Sequence, residues 1–223
     1  MQQHIVRVES VTKITHDVLR ILTEKPEGYA FNPGQATEIA INKTGWQEQK
    51  RPFTFTCLPD NIYMEFTIKT YPEKKGVTNE LLQLKQNDTL ILHDVFGAIA
   101  YKSEGTFIAG GAGITPFISI FRDLQSRNVI GNNRLLFANK TKADIILENE
   151  FKEMLGDAFV NILSDETLEG YHHGMINESF LKNNIKNFQG HFYICGPPGL
   201  MDSISKQLAA LGVIDNLIVK EAI

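Results

Sequence analysis

Arg51-Pro52-Phe53-Thr54 sets a permanent cation, a rigid turn residue, an aromatic ring and a hydroxyl on consecutive positions. On an extended segment, Arg51 and Thr54 stand about 10 Å apart at roughly 3.3 Å per residue. That span suits a ligand with phosphate at one end and a polar heteroaromatic ring at the other. The guanidinium is a planar donor fork matched to phosphate, Phe53 offers a flat apolar face, and Thr54 a small donor. Taken alone, a strand whose arginine makes a surface ion pair reads the same way. Gly76-Val77-Thr78 is the second feature. Gly76 permits close backbone approach and Thr78 suits an N-cap, so the amides beyond it form an anion site at a helix start. Two phosphate-directed features in one small domain imply a pyrophosphate. Lys74 and Lys75 alongside read as a solvated basic turn.

The second half carries two more such stretches. Gly110-Gly111-Ala112-Gly113-Ile114-Thr115-Pro116 joins an apolar strand-like run to a helical one. Its glycines allow a tight turn against a diphosphate, and Pro116 suits the first helical position. The spacing is not that of the GxGxxG fingerprint, and tight packing alone is the alternative. Cys195-Gly196-Pro197-Pro198-Gly199 ends another strand-like run. It places a thiol at the carboxyl end of a sheet strand, where ligands of open α/β sheets sit. Nothing nearby in sequence lowers that thiol's pKa, so Cys195 reads as a shape-setting contact and not a nucleophile. The remaining clusters read blandly. His172-His173 are adjacent and fit a surface loop; Glu148, Glu150 and Glu153 fit a solvated helix face; Trp46 fits a local anchor in a polar loop. Metal-hydrolase, serine-hydrolase and paired-carboxylate signatures are absent.

The elements that must position these residues change character midway. Through residue 100 the hydrophobic period is two, as in Ile5–Val11, Val18–Leu22 and Tyr63–Lys69, with Pro, Gly and Asn punctuation. That pattern predicts an antiparallel barrel or sandwich. From residue 101 onward, strand-like runs at 106–109, 134–138, 159–163, 191–195 and 217–220 alternate with helical ones at 116–126, 148–155, 178–183 and 200–211. This rhythm predicts a Rossmann-like parallel α/β sheet. The expected division is residues 1–100 and 101–223. Apolar content of 43% with 22% charged residues predicts a packed chain, and a net charge of −4 argues against a nucleic-acid backbone binder. Two cysteines far apart exclude a metal cluster on ligand count. The N-terminal segment has no apolar signal core and the longest apolar run is broken by Gly, Thr and Pro, so a cytoplasmic protein without a membrane span is expected.

Taken together and in order, these motifs resemble the ferredoxin–NADP reductase superfamily in its compact bacterial flavodoxin/ferredoxin reductase form. Phe31-Asn32-Pro33-Gly34-Gln35 is similar to its F-x-P-G-Q turn, and Arg51–Thr54 to its R-x-Y-[ST] flavin motif. Gly76–Thr78 resembles its phosphate-binding helix start, Gly110–Pro116 its nicotinamide-dinucleotide loop, and Cys195–Pro198 its C-G-P-P. Glu221 matches an acidic residue many members keep near the C-terminus.

The resemblance implies an antiparallel FAD-binding β-barrel (1–100) followed by a Rossmann-like NAD(P)-binding domain (101–223). It implies hydride transfer from NAD(P)H to FAD, then single-electron delivery to a ferredoxin, a flavodoxin or an iron–sulfur oxygenase component, by a monomer. Arg51, Pro52, Phe53, Thr54, Ile68, Lys69, Gly76, Val77 and Thr78 would hold the flavin, with Thr54 donating to N5. Gly110, Gly111, Gly113, Ile114, Thr115 and Pro116 would take the dinucleotide diphosphate. Cys195, Gly196 and Pro197 would lie against the nicotinamide, and Glu221 would orient it or relay a proton. FAD is favoured over FMN because a second phosphate site accompanies Arg51. Phe53 departs from the usual Tyr, losing one hydroxyl contact. Ala222 and Ile223 follow Glu221, so no aromatic there stacks on a flavin. Lys140 suits a 2′-phosphate, whereas Ser164-Asp165-Glu166 repels one, and NADH is weakly favoured. The alternatives are a free-flavin reductase and, from another class, a nucleotide-binding redox sensor without turnover.

Overall fold

The computed structural model describes residues 3–221. The chain forms two compact units, Met1–Ala100 with Thr115–Asp123, and Tyr101–Ile114 with Leu124–Ile223.

The first unit holds β1 (His4–Lys13), β2 (Val18–Glu24), β3 (Ala36–Ile41), β4 (Arg51–Thr54), β5 (Tyr63–Lys69), the short helix α1 (Val77–Glu80) and β6 (Thr89–Phe96). These strands form one six-stranded sheet in the order β4-β3-β6-β1-β2-β5, every pairing antiparallel. The two terminal strands meet through the isolated bridge Phe55↔Phe66, which curls the sheet into a barrel. Inward side chains such as Val6, Ile21, Ile39, Phe55, Met64, Phe66 and Leu92 fill the core. Phe31 stacks on Phe55 with ring centroids 4.1 Å apart. Trp46 packs on the edge of this core, the anchoring role its polar loop suggested.

The second unit holds β7 (Gly105–Gly110), β8 (Arg134–Asn139), α3 (Glu148–Leu155), β9 (Phe159–Leu163), β10 (His172–His173), α4 (Glu178–Asn184), β11 (His191–Cys195), α5 (Pro198–Ala210) and β12 (Ile218–Lys220); α2 (Thr115–Ser126), between β7 and β8 in the chain, belongs to the first unit through Asp123. The sheet order is β10-β9-β8-β7-β11-β12, parallel throughout. The central strands β7, β8 and β11 are largely apolar and buried over most of their length, the pattern of strands covered on both faces. Tyr193 anchors the incoming chain: its hydroxyl donates to the Ser103 carbonyl at 2.7 Å and accepts the Lys102 and Ser103 amides. Its ring stacks on Phe107 at 4.2 Å and on Tyr101 at 5.9 Å.

Three elements differ from the sequence expectation. His172-His173 is a two-residue edge strand beside β9 and not a loop, although both side chains are exposed. Helix α2 begins at Thr115 after a 3-10 turn over Gly111–Ile114, one residue ahead of the expected Pro116. The segment Thr115–Asp123 belongs with the first unit, although the strand–helix rhythm assigns it to the second. Among the described residues, no helix is long and apolar enough to cross a membrane.

Candidate functional site

In the first unit the site is built on two strand edges. β4 and β5 end the sheet order, and among the described residues the strand running on from β4 meets β5 at the bridge Phe55↔Phe66 and through the Thr56 amide, which donates to the Glu65 carbonyl at 2.8 Å. Beyond that bridge, Arg51–Phe53 and Ile68–Lys69 form no ladder with one another. The edges therefore present peptide donors and acceptors suited to the amide-like rim of a heteroaromatic ring. Arg51 and Pro52 are exposed, and Phe53 is half-buried with its ring against the core margin. The Arg51 guanidinium donates to the Lys50 carbonyl at 2.6 Å. Ile68 is buried in the core, so its contact with any ligand is through the backbone, and the Lys69 ammonium pairs with Asp17 at 2.6 Å.

The helix start read in the sequence as an anion site takes a different form in the structure. Gly76, not Thr78, caps α1, and no side-chain cap bond is made. A 3-10 turn over Pro72–Lys74 ends with Lys75 in the left-handed region at φ 45°. That reversal delivers Gly76 in extended conformation, and its carbonyl accepts the Asn79 and Glu80 amides at 3.0 and 3.1 Å. Val77 and Thr78 then fall in the first turn, where amides have no intrahelical acceptor.

One contact joins expected site residues across this unit. The Thr115 hydroxyl lies 3.4 Å from the Thr54 hydroxyl, with Thr115 donating.

In the second unit two loops meet at the carboxyl ends of β7 and β11. Gly111 turns the chain at φ +51° with open space around its Cα. Gly113 is a glycine for a different reason: a Cβ there would collide with the Cys195 carbonyl and lie 2.6 Å from Gly196 Cα. A Cβ at Gly110 would meet Leu200 and Pro197 at 2.9 and 3.2 Å. The two glycine-rich turns are thus locked backbone to backbone, and Pro197 caps α5. Burial, with the nearby Glu221 charge, pushes the Cys195 thiol up to about 12, only partly offset by the Gly196 amide. The thiol stays neutral. Burial also raises the Glu221 carboxyl above its ordinary value. Ala222 and Ile223, on which the absence of a stacking aromatic rests, lie outside the described residues.

Lys140 is exposed just past β8, and its carbonyl accepts the Asp165 amide at 2.9 Å. Glu166 accepts the Lys142 amide at 2.7 Å. The acidic pair therefore stands beside Lys140 at the carboxyl ends of β8 and β9. Tyr171 donates to Glu148 nearby, with the Lys142 ammonium 5.5 Å from the Tyr171 ring centroid.

Three residues the sequence reading passed over complete the first unit's arrangement. Glu65 is 1% exposed, and accepts from Arg20 at 2.7 Å, from Arg122 at 2.6 Å and from the Thr56 hydroxyl at 2.9 Å. Burial raises its carboxyl, but Arg122 and Arg20 outweigh that and hold it below the ordinary value. Arg122 also donates to the Thr56 carbonyl at 2.7 Å. Ser119, fully buried, accepts the Gly34 amide at 3.0 Å. The usable signal was a polar stripe, Thr115, Ser119 and Arg122, at i, i+4 and i+7 of a helix that also carries Phe117, Ile118, Ile120, Phe121 and Leu124.

A family model described as "Oxidoreductase NAD-binding domain" matches residues 107–206. The chain is 30% identical over 220 residues to NADH-cytochrome b5 reductase 2 of Candida glabrata, covering 91% of this chain and 74% of that protein. It is 27% identical to NADH-cytochrome b5 reductase 2 of Mycosarcoma maydis, covering 89% of this chain and 63% of that protein. The chain thus spans less than two thirds of the Mycosarcoma protein's length. In fold it is similar to the flavohem-like FAD/NAD-binding domain of nitric oxide dioxygenase from Vibrio cholerae, with a TM-score of 0.86, 22% identity and 98% of each chain covered. With an antiparallel barrel unit, a parallel α/β unit and this level of identity, the chain belongs to the ferredoxin–NADP reductase superfamily.

Proposed function

We propose that this chain is a flavoprotein reductase that takes a hydride from NAD(P)H and delivers electrons one at a time to an external protein carrier. The observation that carries the reading is the unladdered pair of edges, Arg51–Phe53 and Ile68–Lys69, with an exposed guanidinium at one end and the Thr54 hydroxyl at the other. That cradle fits FAD. When bound, FAD supplies two-electron acceptance from the dinucleotide and one-electron release.

The residues' parts follow from their chemistry. Arg51 and the first-turn amides Val77 and Thr78 bind the flavin's phosphates. Pro52 stiffens the strand start, and Phe53 covers part of the ring without the hydroxyl a tyrosine would add. Backbone groups of Ile68 and Lys69 meet the ring's polar rim. Thr54 would donate a hydrogen bond to the flavin's N5. Gly110, Gly111, Gly113 and Ile114 admit the dinucleotide diphosphate close to the backbone, ahead of Thr115 and Pro116 at the start of α2. Cys195, Gly196 and Pro197 shape the nicotinamide surface with a neutral thiol. Glu221, its carboxyl raised by burial, holds a proton more readily than an exposed glutamate and suits orientation of the carboxamide or proton relay. Residues 1–100 form the flavin domain and 101–223 the dinucleotide domain in this reading.

NADH is the preferred donor. Asp165 and Glu166 stand beside Lys140, and their charge disfavours a 2′-phosphate there. The names of the two reductase relatives point to cytochrome b5 as their acceptor, and for this chain a ferredoxin, flavodoxin or oxygenase component is the acceptor class assigned here.

An anaerobic absorbance titration of the desalted protein, with NADH and NADPH in parallel, tests this reading. The expected result is a yellow protein bleached by NADH at lower concentration than by NADPH. A colourless protein that reduces only added flavin would replace it with a free-flavin reductase. A yellow protein reduced by neither nucleotide would overturn it.

A further inference from the structure

Helix α2 presents Thr115, Ser119 and Arg122 on one face, at i, i+4 and i+7. Each makes a polar contact within the first unit: Thr115 with Thr54, Ser119 with the Gly34 amide, and Arg122 with Thr56 and Glu65. Thr115 and Arg122 stand about 10 Å apart along the helix at 1.5 Å per residue. Thr54 and Thr56 share one side of the strand that runs on from β4. The helix and that strand are therefore pinned at two points.

The two pins differ in strength. A hydroxyl pair at 3.4 Å is at the outer limit of a hydrogen bond and cannot set a register. Arg122 holds with charge-assisted bonds of 2.6 and 2.7 Å to a carboxylate and a carbonyl. Glu65 is itself fixed by Arg20 on its other oxygen. A buried charge cluster is a poor source of stability compared with apolar packing, and its best-attested use is to select one register.

We propose that Arg122 is a positioning residue: clamped by Glu65 and the Thr56 carbonyl, it sets the register of α2 so that the Thr115 hydroxyl donates to Thr54. With Thr115 donating, the Thr54 proton is left to point away from the helix. That orients the one hydroxyl assigned to N5, so this inference rests on the proposed flavin reductase reading for its kinetic consequence and on geometry alone for its structural one. Arg122 touches no reacting atom; it acts through Thr115 and Thr54.

The test uses the flavin-loaded full chain and the variants Arg122→Met, Arg122→Lys, Thr115→Val, and the doubles Arg122→Met/Thr115→Val and Arg122→Met/Glu65→Gln. The last removes both buried partners, so it folds without an uncompensated carboxylate even where Arg122→Met alone does not. Hydrogen exchange is read first, because it does not depend on turnover. Loss of Arg122 is expected to speed exchange in peptides covering 54–56 and 115–123 by about tenfold or more, with β7–β9 peptides unchanged. Unchanged exchange in those two segments overturns the proposal whether or not the protein reduces its flavin.

Single-turnover reduction by NADH is read second. Arg122→Met should lower the limiting rate about 10- to 100-fold while apparent nucleotide affinity moves less than about threefold, with Arg122→Lys in between. Arg122→Met/Thr115→Val should be no slower than the slower single, since both act on one hydroxyl. Multiplying losses in that double, or parent rates in Arg122→Met/Glu65→Gln, would reduce the cluster to a stabilising role and overturn the proposal. Parent protein that neither nucleotide reduces refutes the reductase reading instead, and leaves the exchange result to decide the register.

Discussion

Replacing Gly113 with alanine should separate the two glycine-rich turns of the second unit. The added Cβ would fall 2.6 Å from Gly196 Cα and closer still to the Cys195 carbonyl, against an ordinary contact of 3.4 Å, so the turns must part by at least about 0.8 Å. The colliding atoms are backbone, including the Cys195 carbonyl, and no rotamer change relieves them. Overpacking of this kind costs about 1–3 kcal/mol, which lowers the melting temperature by about 2–12 °C at roughly 2–4 °C per kcal/mol for a chain this size. The larger effect is kinetic. A misplacement near 1 Å costs on the order of 10²-fold in a step that depends on alignment. Stopped-flow reduction should therefore show parent flavin content with reduction by NADH slowed about 10- to 100-fold. Gly111→Ala is the internal control. Its backbone sits at φ +51° with nothing within 4 Å of a Cβ, so it carries only the left-handed penalty of about 1–2 kcal/mol. Gly111→Asn should recover much of that, since asparagine tolerates this conformation. Parent kinetics in Gly113→Ala, or equal losses in both alanine variants, would refute the argument that close approach at Gly113 shapes the dinucleotide site.

Three further outcomes are expected. Arg51→Met removes a charge-assisted contact of about 1.5–3 kcal/mol, so flavin affinity measured by ultrafiltration should fall about 10- to 100-fold; full retention of flavin would count against a phosphate role. Cys195, raised to about 12, should alkylate with iodoacetamide at pH 8 more than about 100-fold slower than a free thiol near 8.5, and speed up with each pH step; fast labelling at pH 8 contradicts the buried neutral thiol. The Glu65 carboxyl is held below its ordinary 4.5, so its stabilisation is complete above that pH and is lost as pH falls through the lower folded value. Glu65→Gln leaves Arg122 without its buried partner at a cost of about 3–5 kcal/mol near neutral pH. Thermal melts of the two proteins should converge in acid, and a gap that persists at low pH would show that the pair is not the source.

How far the sequence carries depends on whether a residue faces one environment or two. β1 and β2 alternate because one face meets the core and the other is largely solvated, and their pattern is readable. β3, Ala36–Ile41, is not evident from period: it lies between β4 and β6, and five of its six residues are buried. The glycine- and proline-bearing turns are legible because glycine frees the backbone and proline fixes it, each in a known way. The cap at Gly76 escapes a sequence reading because the decisive event is a lysine, Lys75, in a left-handed conformation that composition does not signal. A neutral Cys195 follows from the lack of nearby cations, but the size of the shift comes from burial, which no local spacing reveals.

Glu65 and Arg122 show the same limit at the level of charge. In Tyr63–Lys69 the alternation puts Glu65 on the face with Tyr63 and Thr67, where a glutamate reads as solvated. The strand is buried at five consecutive positions, Met64–Ile68, and so has no solvated face. A carboxylate at such a position persists only if a cation reaches it, which makes a buried glutamate in a strand a reason to look for a distant arginine. Here that arginine lies 57 residues away on a helix where Thr115 and Ser119 fall on the same face. The strand–helix rhythm assigns this helix to a dinucleotide domain. Its hydroxyls and guanidinium instead satisfy groups of the first unit, to which Thr115–Asp123 belongs. Polar pattern within an apolar helix, not hydrophobic period, is the property that would have located it.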